Sequence, residues 1–392
     1  MKSFETVYKT FLTNYHEKNL SRKLIFVEPG QGTTIKVNGR DFINFSSNDY
    51  LGLKSHPKLI ESTQDFAARF GSGSGASRLV TGNISPFEEI EDKIAKLKGK
   101  EAALVLASGF QANGAVLQAL FDKTVLKHAP TVVSDKLNHA SMHFGCKAAG
   151  VRQSRYRHLD AEHAQSLLQA SDPDHPRFCL TETVFSMDGD KAPMDQLVSV
   201  CQAQEAMLIA DDAHGFGVLG EKGKGLGSKA DIVIGTFSKA CGSFGAYVAA
   251  SQTMIDYLIQ RCGGLIYSTA LPPATLGAIN AALDLLPDLD QERQTVANHA
   301  AHFRQEMQAI GFDTGASQTQ IVPLIVGSSQ AALDLSENLK AQGLWASAIR
   351  PPTVPKGTAR LRFAFSAAHT PEDMDQLINC LKNYKKTSGS AQ

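Results

Sequence analysis

Between residues 100 and 250 the chain alternates short apolar runs with stretches whose apolar residues recur every three to four positions. The runs AALVLAS, TVVSD, RFCLTETV, MLIADDA, DIVIGTF and GAYVAAS are nearly continuous in their apolar residues. Such runs predict strands buried on both faces. The helical stretches between them predict a mostly parallel sheet covered by helices on both sides. Polar clusters stand at the ends of the runs: SGFQAN after the first, DKLNHAS after the second, DDAHG and TFSK after later ones. Ligands in such sheets gather at the carboxyl ends of strands, so these clusters form the candidate site.

The flanks have a different rhythm. TTIKVNGRDFINF alternates apolar and polar residues about Asn38-Gly39, predicting a hairpin. HPKLIESTQDFAARF predicts an amphipathic helix opened by Ser55 and Pro57, and Ser85, Pro86 and Glu88 predict a capping box before FEEIEDKIAKLKG. Past residue 285 come a long helix, the strand QIVPLIV, another helix, paired strands around AIRPPTVPKGTARLRFAFS and a last helix from Thr370-Pro371-Glu372. The expected organisation is an N-terminal helix and hairpin segment over 1–50, a large α/β domain over 51–285, a smaller α+β domain over 286–385 and a flexible tail over 386–392.

Composition narrows the function classes. Lys plus Arg and Asp plus Glu both number 39 in 392 residues, so no global charge draws the chain to nucleic acid or an anionic membrane. No stretch approaches the ~18 apolar residues that span a bilayer. The opening MKSFETVYKTFLTNYHEKNL lacks the apolar centre of a secretion signal, and the six cysteines form no CxxC pair. A cytoplasmic protein without a metal site is expected. His139 and His143 make an H-x-x-x-H pair, but the glutamate of a zinc-protease motif is missing.

The clusters carry a coherent chemistry. Lys239 follows a strand in a turn of small and hydroxylated residues, the setting of an amine that forms a Schiff base. Asp211, at another strand end, suits a heterocyclic nitrogen that must stay protonated. Ser108, Gly109 and Phe110 stand where a strand becomes a helix, a natural phosphate cup. His139 offers a ring for stacking, and Ser186 in FSMDGD offers a hydroxyl. Alternation in ARLRF puts Arg360 and Arg362 on one strand face, suited to a carboxylate. Each has a plainer reading alone: a solvated lysine, a turn cap, an ordinary Asp-Gly turn. GSGSGASRLVTGN satisfies G-x-G-x-x-A, yet a helix precedes it, so a flexible loop is expected rather than a dinucleotide site. Together these parts make up the equipment of a pyridoxal-phosphate enzyme.

The ordered set SNDYLGL, GSGSGASRLVTG, SGFQAN, NHAS, FSMDGD, DDAHG, TFSKACGSFGAYV, YSTALPP and RPPTVPKGTARLR resembles the α-oxoamine synthase family over residues 40 to 385. That resemblance implies the fold-type-I, aspartate-aminotransferase-like α/β fold, with a seven-stranded-type sheet domain and a small C-terminal α+β domain. It implies an acyltransferase with pyridoxal 5'-phosphate on Lys239, Asp211 at the ring nitrogen and His139 stacked on the ring and near substrate. Ser186 and His214 would bond the phenolic oxygen, and Gly109, Phe110 and Thr236 would complete the cofactor site. Arg362 would hold an amino-acid carboxylate, and Arg22 and Thr353 would contact substrate. Arg350, just before Pro351-Pro352, is a further candidate for a distant carboxylate. The stretches NFSSNDYLGL and AIRPPTVPKGTARLRF point to the biotin-pathway branch, whose substrates are L-alanine and a pimeloyl thioester on coenzyme A or a carrier protein. Glycine C-acetyltransferase, 5-aminolevulinate synthase and fold-type-I aminotransferase activities are the alternatives. The family also implies a homodimer, with Ser268 and Thr269 reaching the neighbour's phosphate. Cys241 departs from the bulkier apolar residue that relatives carry there.

Overall fold

The computed structural model describes residues 3–18 and 20–389. They divide into two compact units: Asn48–Ser186 with Asp190–Gln294, and the residues before Asn48 with Met187–Gly189 and those from Thr295 onward.

The first unit is built on a seven-stranded sheet. Its strands are β1 (Ala102–Leu106), β2 (Thr131–Asp135), β3 (Gln153–Tyr156), β4 (Arg177–Glu182), β5 (Ala206–Asp211), β6 (Ile232–Thr236) and β7 (Ala246–Ala250). The spatial order is β1-β7-β6-β5-β4-β2-β3, and β7 alone runs against the others. Side chains alternate between two cores, as the period of a strand requires. Leu104, Leu180, Ile209, Ile232 and Ile234 pack with Val116, Leu117 and Phe121 on one face. Cys179, Leu208, Ala210 and Val233 pack with Leu168 and Leu197 on the other. Two-sided burial is why these runs read as continuously apolar.

Registry fixes what lies along the carboxyl edge. Glu182 pairs with Asp211, and Asp211 with Ile234, so β4 and β5 end side by side while β6 continues two residues to Thr236. The sheet thus presents Glu182, Asp211 and Thr236 along one rim.

The second unit joins the two ends of the sequence. Thr34–Val37 and Arg40–Asn44 form the expected hairpin, with Asn38 and Gly39 at φ 50° and 77°. Arg40–Asn44 then pairs in parallel with Leu344–Trp345. A second sheet holds Ile321–Gly327, Ala359–Ala364 and Ser347–Ile349, all antiparallel. Phe45 belongs to the same core as Phe303, Phe363 and Phe365, so the hairpin segment and the C-terminal region share one interior. Their patterns are separated in sequence by the whole sheet unit, and only the long-range pairing joins them.

Three local details differ from the sequence expectation. Ser85 makes no side-chain cap bond: it is already in the right-handed helical region, its carbonyl accepts from Glu88 N–H, and the coil begins at Ile84. The GSGSGASRLVTGN segment is pinned rather than free. Ser74 Oγ donates to Leu271 O at 2.5 Å, Arg78 Nη2 bonds Glu91 Oε2 at 3.0 Å, and Arg78–Gly82 forms a π-helical turn. The last helix, Pro371–Gly389, runs into the segment expected as a tail, whose residues 390–392 lie outside the described residues. No described helix is long and apolar enough to cross a membrane.

Candidate active site

A cavity of about 240 Å³ opens at the carboxyl rim of the seven-stranded sheet. Ser108, Gly109, Phe110, His139, Asp211, His214, Thr236 and Lys239 all line it, so eight of the sequence candidates come together.

The helix Gly109–Leu120 starts at the cavity, with Ser108 as its N-cap accepting from Gln111 N–H at 3.4 Å. The backbone N–H groups of Gly109 and Phe110 belong to the open first turn, where the positive helix end favours an anion. Across from it, Thr236 Oγ1 lies 2.8 Å from both Ser238 Oγ and Gly245 O.

Lys239 is half-buried at the tip of the connection between β6 and β7. Phe237 N–H donates to Gly245 O and Ser243 N–H to Phe237 O, both at 3.0 Å, and Gly242 N–H closes onto Lys239 O at 2.9 Å. Gly242 sits at φ 61°, and a Cβ there would run into the backbone of Leu53 and Lys54. Only glycine fits that approach. Cys241 beside it is fully buried, and burial pushes its thiol up to about 12, so it behaves as a small neutral filler.

Asp211 is held by two donors: Asn113 Nδ2 at 2.6 Å and Ala213 N–H at 2.9 Å. Asn113 also donates to Ser141 Oγ at 2.9 Å, which stands 2.7 Å from His139 Nδ1. His139 Nδ1 accepts the Ser141 N–H at 3.3 Å, which places the ring proton on Nε2. Burial keeps this imidazole below its usual pKa; Asp211 opposes and the Lys239 amine adds to the effect. A neutral ring of fixed orientation is therefore presented to the cavity. His214 is oriented by Tyr50, whose hydroxyl lies 2.7 Å from its Nδ1.

The remaining candidates lie elsewhere. Ser186 is half-buried four residues past the end of β4 and does not line the cavity. Arg22, Arg350 and Thr353 line a second cavity of about 500 Å³ in the other unit. There Arg22 Nη2 reaches Thr353 Oγ1 at 3.5 Å and Arg350 Nη2 donates to Ser21 O at 3.3 Å. Arg360 and Arg362, on one strand face, are both buried, and Arg360 is already neutralised by Asp188 Oδ1 at 2.6 Å. Five side chains at the cavity or next to it were not singled out individually from sequence: Asn113, Ser141, Glu182 and Ser238, which line it, and Tyr50, which orients His214. Tyr50, Asn113, Ser141 and Ser238 stand in the quoted stretches SNDYLGL, SGFQAN, NHAS and TFSKACGSFGAYV, whereas Glu182 had only its position at a strand end as a signal. His143, the second member of the histidine pair, bonds Gln153 Oε1 at 2.8 Å, and no group of three metal-binding side chains forms among the described residues.

Behind the rim, His158 bridges Asp135 Oδ1 and Asp190 Oδ2, each at 2.9 Å, next to the edge of the Phe185 ring. Burial disfavours its charge, but the hydrogen bonds to both aspartates outweigh this and raise it to about 9. Because the folded pKa exceeds the unfolded one of about 6.5, this stabilisation is complete below that value and fades as pH rises through about 9. His158→Gln should therefore lower the melting temperature at neutral pH, with the gap to the parent closing by pH 10. A gap independent of pH would show that the ring acts by packing alone.

The residues present fit pyridoxal phosphate: an anion cup, a carboxylate held by two donors, a neutral ring and an amine surround one cavity of small-molecule size. Relatives agree. Residues 40–381 match the class I and II aminotransferase family. An 8-amino-7-oxononanoate synthase of Gluconacetobacter diazotrophicus is 47% identical over 397 residues, covering all of both chains. A Bordetella pertussis protein given that name provisionally is 50% identical over 386 residues, 97% of each chain. A solved structure of SPT with PLP bound superposes with a TM-score of 0.92 at 25% identity, covering 99% of this chain and 100% of that one. The chain belongs to the class I and II aminotransferase family, as a pyridoxal-phosphate enzyme of fold type I akin to the 8-amino-7-oxononanoate synthases.

Proposed function

We propose that the chain condenses L-alanine with a pimeloyl thioester, releasing CO₂ and the free thiol and forming 8-amino-7-oxononanoate for biotin synthesis. The observation that carries this reading is the gathering of the Lys239 amine, the Asp211 carboxylate and the neutral His139 ring in one cavity, in a chain whose near-full-length relatives bear that name.

Bound pyridoxal phosphate supplies a carbonyl for the amino group and a protonated ring that draws electrons from the α-carbon. Lys239 Nζ would anchor that carbonyl and serve as the base for the proton of alanine Cα. Asp211 holds the proton on the ring nitrogen by charge, and Asn113 and Ala213 N–H keep its carboxylate aimed. His139 supplies a stacking face. The N–H groups of Gly109 and Phe110 take the phosphate, with Thr236 beside them. His214, which lines the cavity, would serve the phenolic oxygen; Ser186 and Arg362 do not line it and keep only the roles that the resemblance implies. The working form is a homodimer, for which exposed Phe144, Phe244 and Tyr267 offer apolar surface.

A panel of acyl thioesters against alanine, glycine and serine, followed by thiol release, tests the reaction. Alanine with pimeloyl thioester should give the highest kcat/KM; transamination without thiol release would place the chain among the aminotransferases instead.

The far carboxylate of the pimeloyl chain is assigned to Arg350. A partly desolvated charge-assisted bond contributes about 1.5–3 kcal/mol, an exposed pair only about 0–1. Arg350 is half-buried and Arg22 exposed. Arg350→Ala should lower kcat/KM for pimeloyl thioester about tenfold or more, sparing an uncharged acyl chain of equal length, with a smaller loss for Arg22→Ala. Equal losses on both chains would assign these arginines to the fold or to the carrier's phosphates.

A further inference from the structure

At the carboxyl ends of β4 and β5 two carboxyl groups stand side by side. Glu182 and Asp211 are register partners, and both line the cavity. Their surroundings differ at one oxygen: both oxygens of Asp211 are bonded, whereas one of Glu182 is not. Asp211 accepts two hydrogen bonds, from Asn113 and from the Ala213 N–H. Glu182 is 2% exposed, and its Oε1 has no hydrogen-bond partner among the described residues.

A buried carboxylate oxygen stripped of water and given no donor is strongly disfavoured, whereas a neutral acid loses far less on burial. Two neighbouring carboxyls also resist carrying full charge together. Where two such groups have surroundings this unequal, one takes the charge and the other the proton. The groups facing Glu182 are Asp211 from β5, Lys239 from the loop after β6, and the backbone N–H groups of His139 and Ser186. Burial is the largest influence and Asp211 reinforces it; Lys239 and the two N–H groups oppose, and the carboxyl stays well above its ordinary range.

We propose that Glu182 is kept as a neutral carboxylic acid whose O–H is offered to the cavity as a hydrogen-bond donor for an anionic oxygen of the occupant, while Asp211 beside it carries the fixed negative charge. A second ionised carboxylate at this rim would repel the carboxylate of an incoming amino acid and the phosphate of the cofactor. A neutral acid adds a donor and no charge. The occupant is taken from the function proposed above; the protonation state is not.

Infrared difference spectra of the cofactor-loaded and cofactor-free protein at neutral pH read that state directly, because a protonated carboxyl C=O absorbs well apart from a carboxylate. The parent should show a protonated-carboxyl band that Glu182→Gln lacks. Pyridoxal phosphate, titrated by fluorescence, should bind Glu182→Gln within about threefold of the parent, since the amide still donates, and Glu182→Leu about tenfold or more weakly. A parent without the band overturns the proposal, as does Glu182→Gln binding as weakly as Glu182→Leu. Should Glu182→Leu fail to fold by circular dichroism, the band difference between the parent and the isosteric Glu182→Gln decides. A band in a protein that makes no ketone from alanine and pimeloyl thioester would support the neutral acid while refuting the assigned reaction.

Discussion

Lys239→Ala is expected to lose turnover by about 10²–10⁴-fold or more, because the same amine anchors the cofactor carbonyl and removes the substrate proton. No other lysine lines the cavity. Lys98, the fully buried amine of the sheet unit, is held 2.6 Å from Asp212 Oδ2 and 2.5 Å from Lys224 O, over the ring of Phe216. It has no freedom to substitute. Borohydride reduction of the loaded parent followed by peptide mapping should place the adduct on Lys239. An adduct on any other lysine would refute the assignment, and so would an alanine variant with parental turnover.

Asp211→Asn should leave the fold intact and lower kcat by about 10²–10³, the usual loss when a preorganised electrostatic partner is removed. The new amide would face Asn113 Nδ2 donor to donor if its nitrogen took the Oδ2 position. Rotating the Asn113 amide relieves this, because Asn113 Oδ1 is buried with no partner among the described residues and would then accept. What cannot be recovered is the charge that keeps a ring nitrogen protonated. The measurement pairs thermal unfolding with steady-state rates. Unchanged unfolding with a crippled rate is the expected result; near-parental turnover would reduce Asp211 to a structural cap.

Much of this was legible because strand ends in a parallel sheet share one edge. Lys239, Asp211, His139 and Gly109 each follow an apolar run, and shared polarity of β1, β2, β5 and β6 brings them to one rim. Asn113 and Ser141 stand in the quoted stretches SGFQAN and NHAS, but their roles were not legible. They lie inside helices, and their link from Asp211 to His139 exists only through how two helices pack on the sheet. Glu182 hid in the run RFCLTETV, where a single carboxylate looks like the start of a loop until its register with Asp211 is known. Arg360 reads from sequence like Arg362, yet Asp188 claims its charge, a contact between positions far apart in the chain.

The pairing of Ile43 with Leu344 has a consequence for biosynthesis. At roughly 5–20 residues per second, the ribosome needs about 15–60 s to make the ~300 residues between these partners. Every strand of the seven-stranded sheet lies between Ala102 and Ala250, so that sheet has all of its strands while the partner of Arg40–Asn44 is still unmade. Meanwhile the nascent hairpin carries an open edge and an uncovered Phe45, a template for mispairing between neighbouring polysomal chains. Shielding that edge and Phe45 until the last third of the chain is made is therefore a demand on yield separate from the stability of the finished molecule.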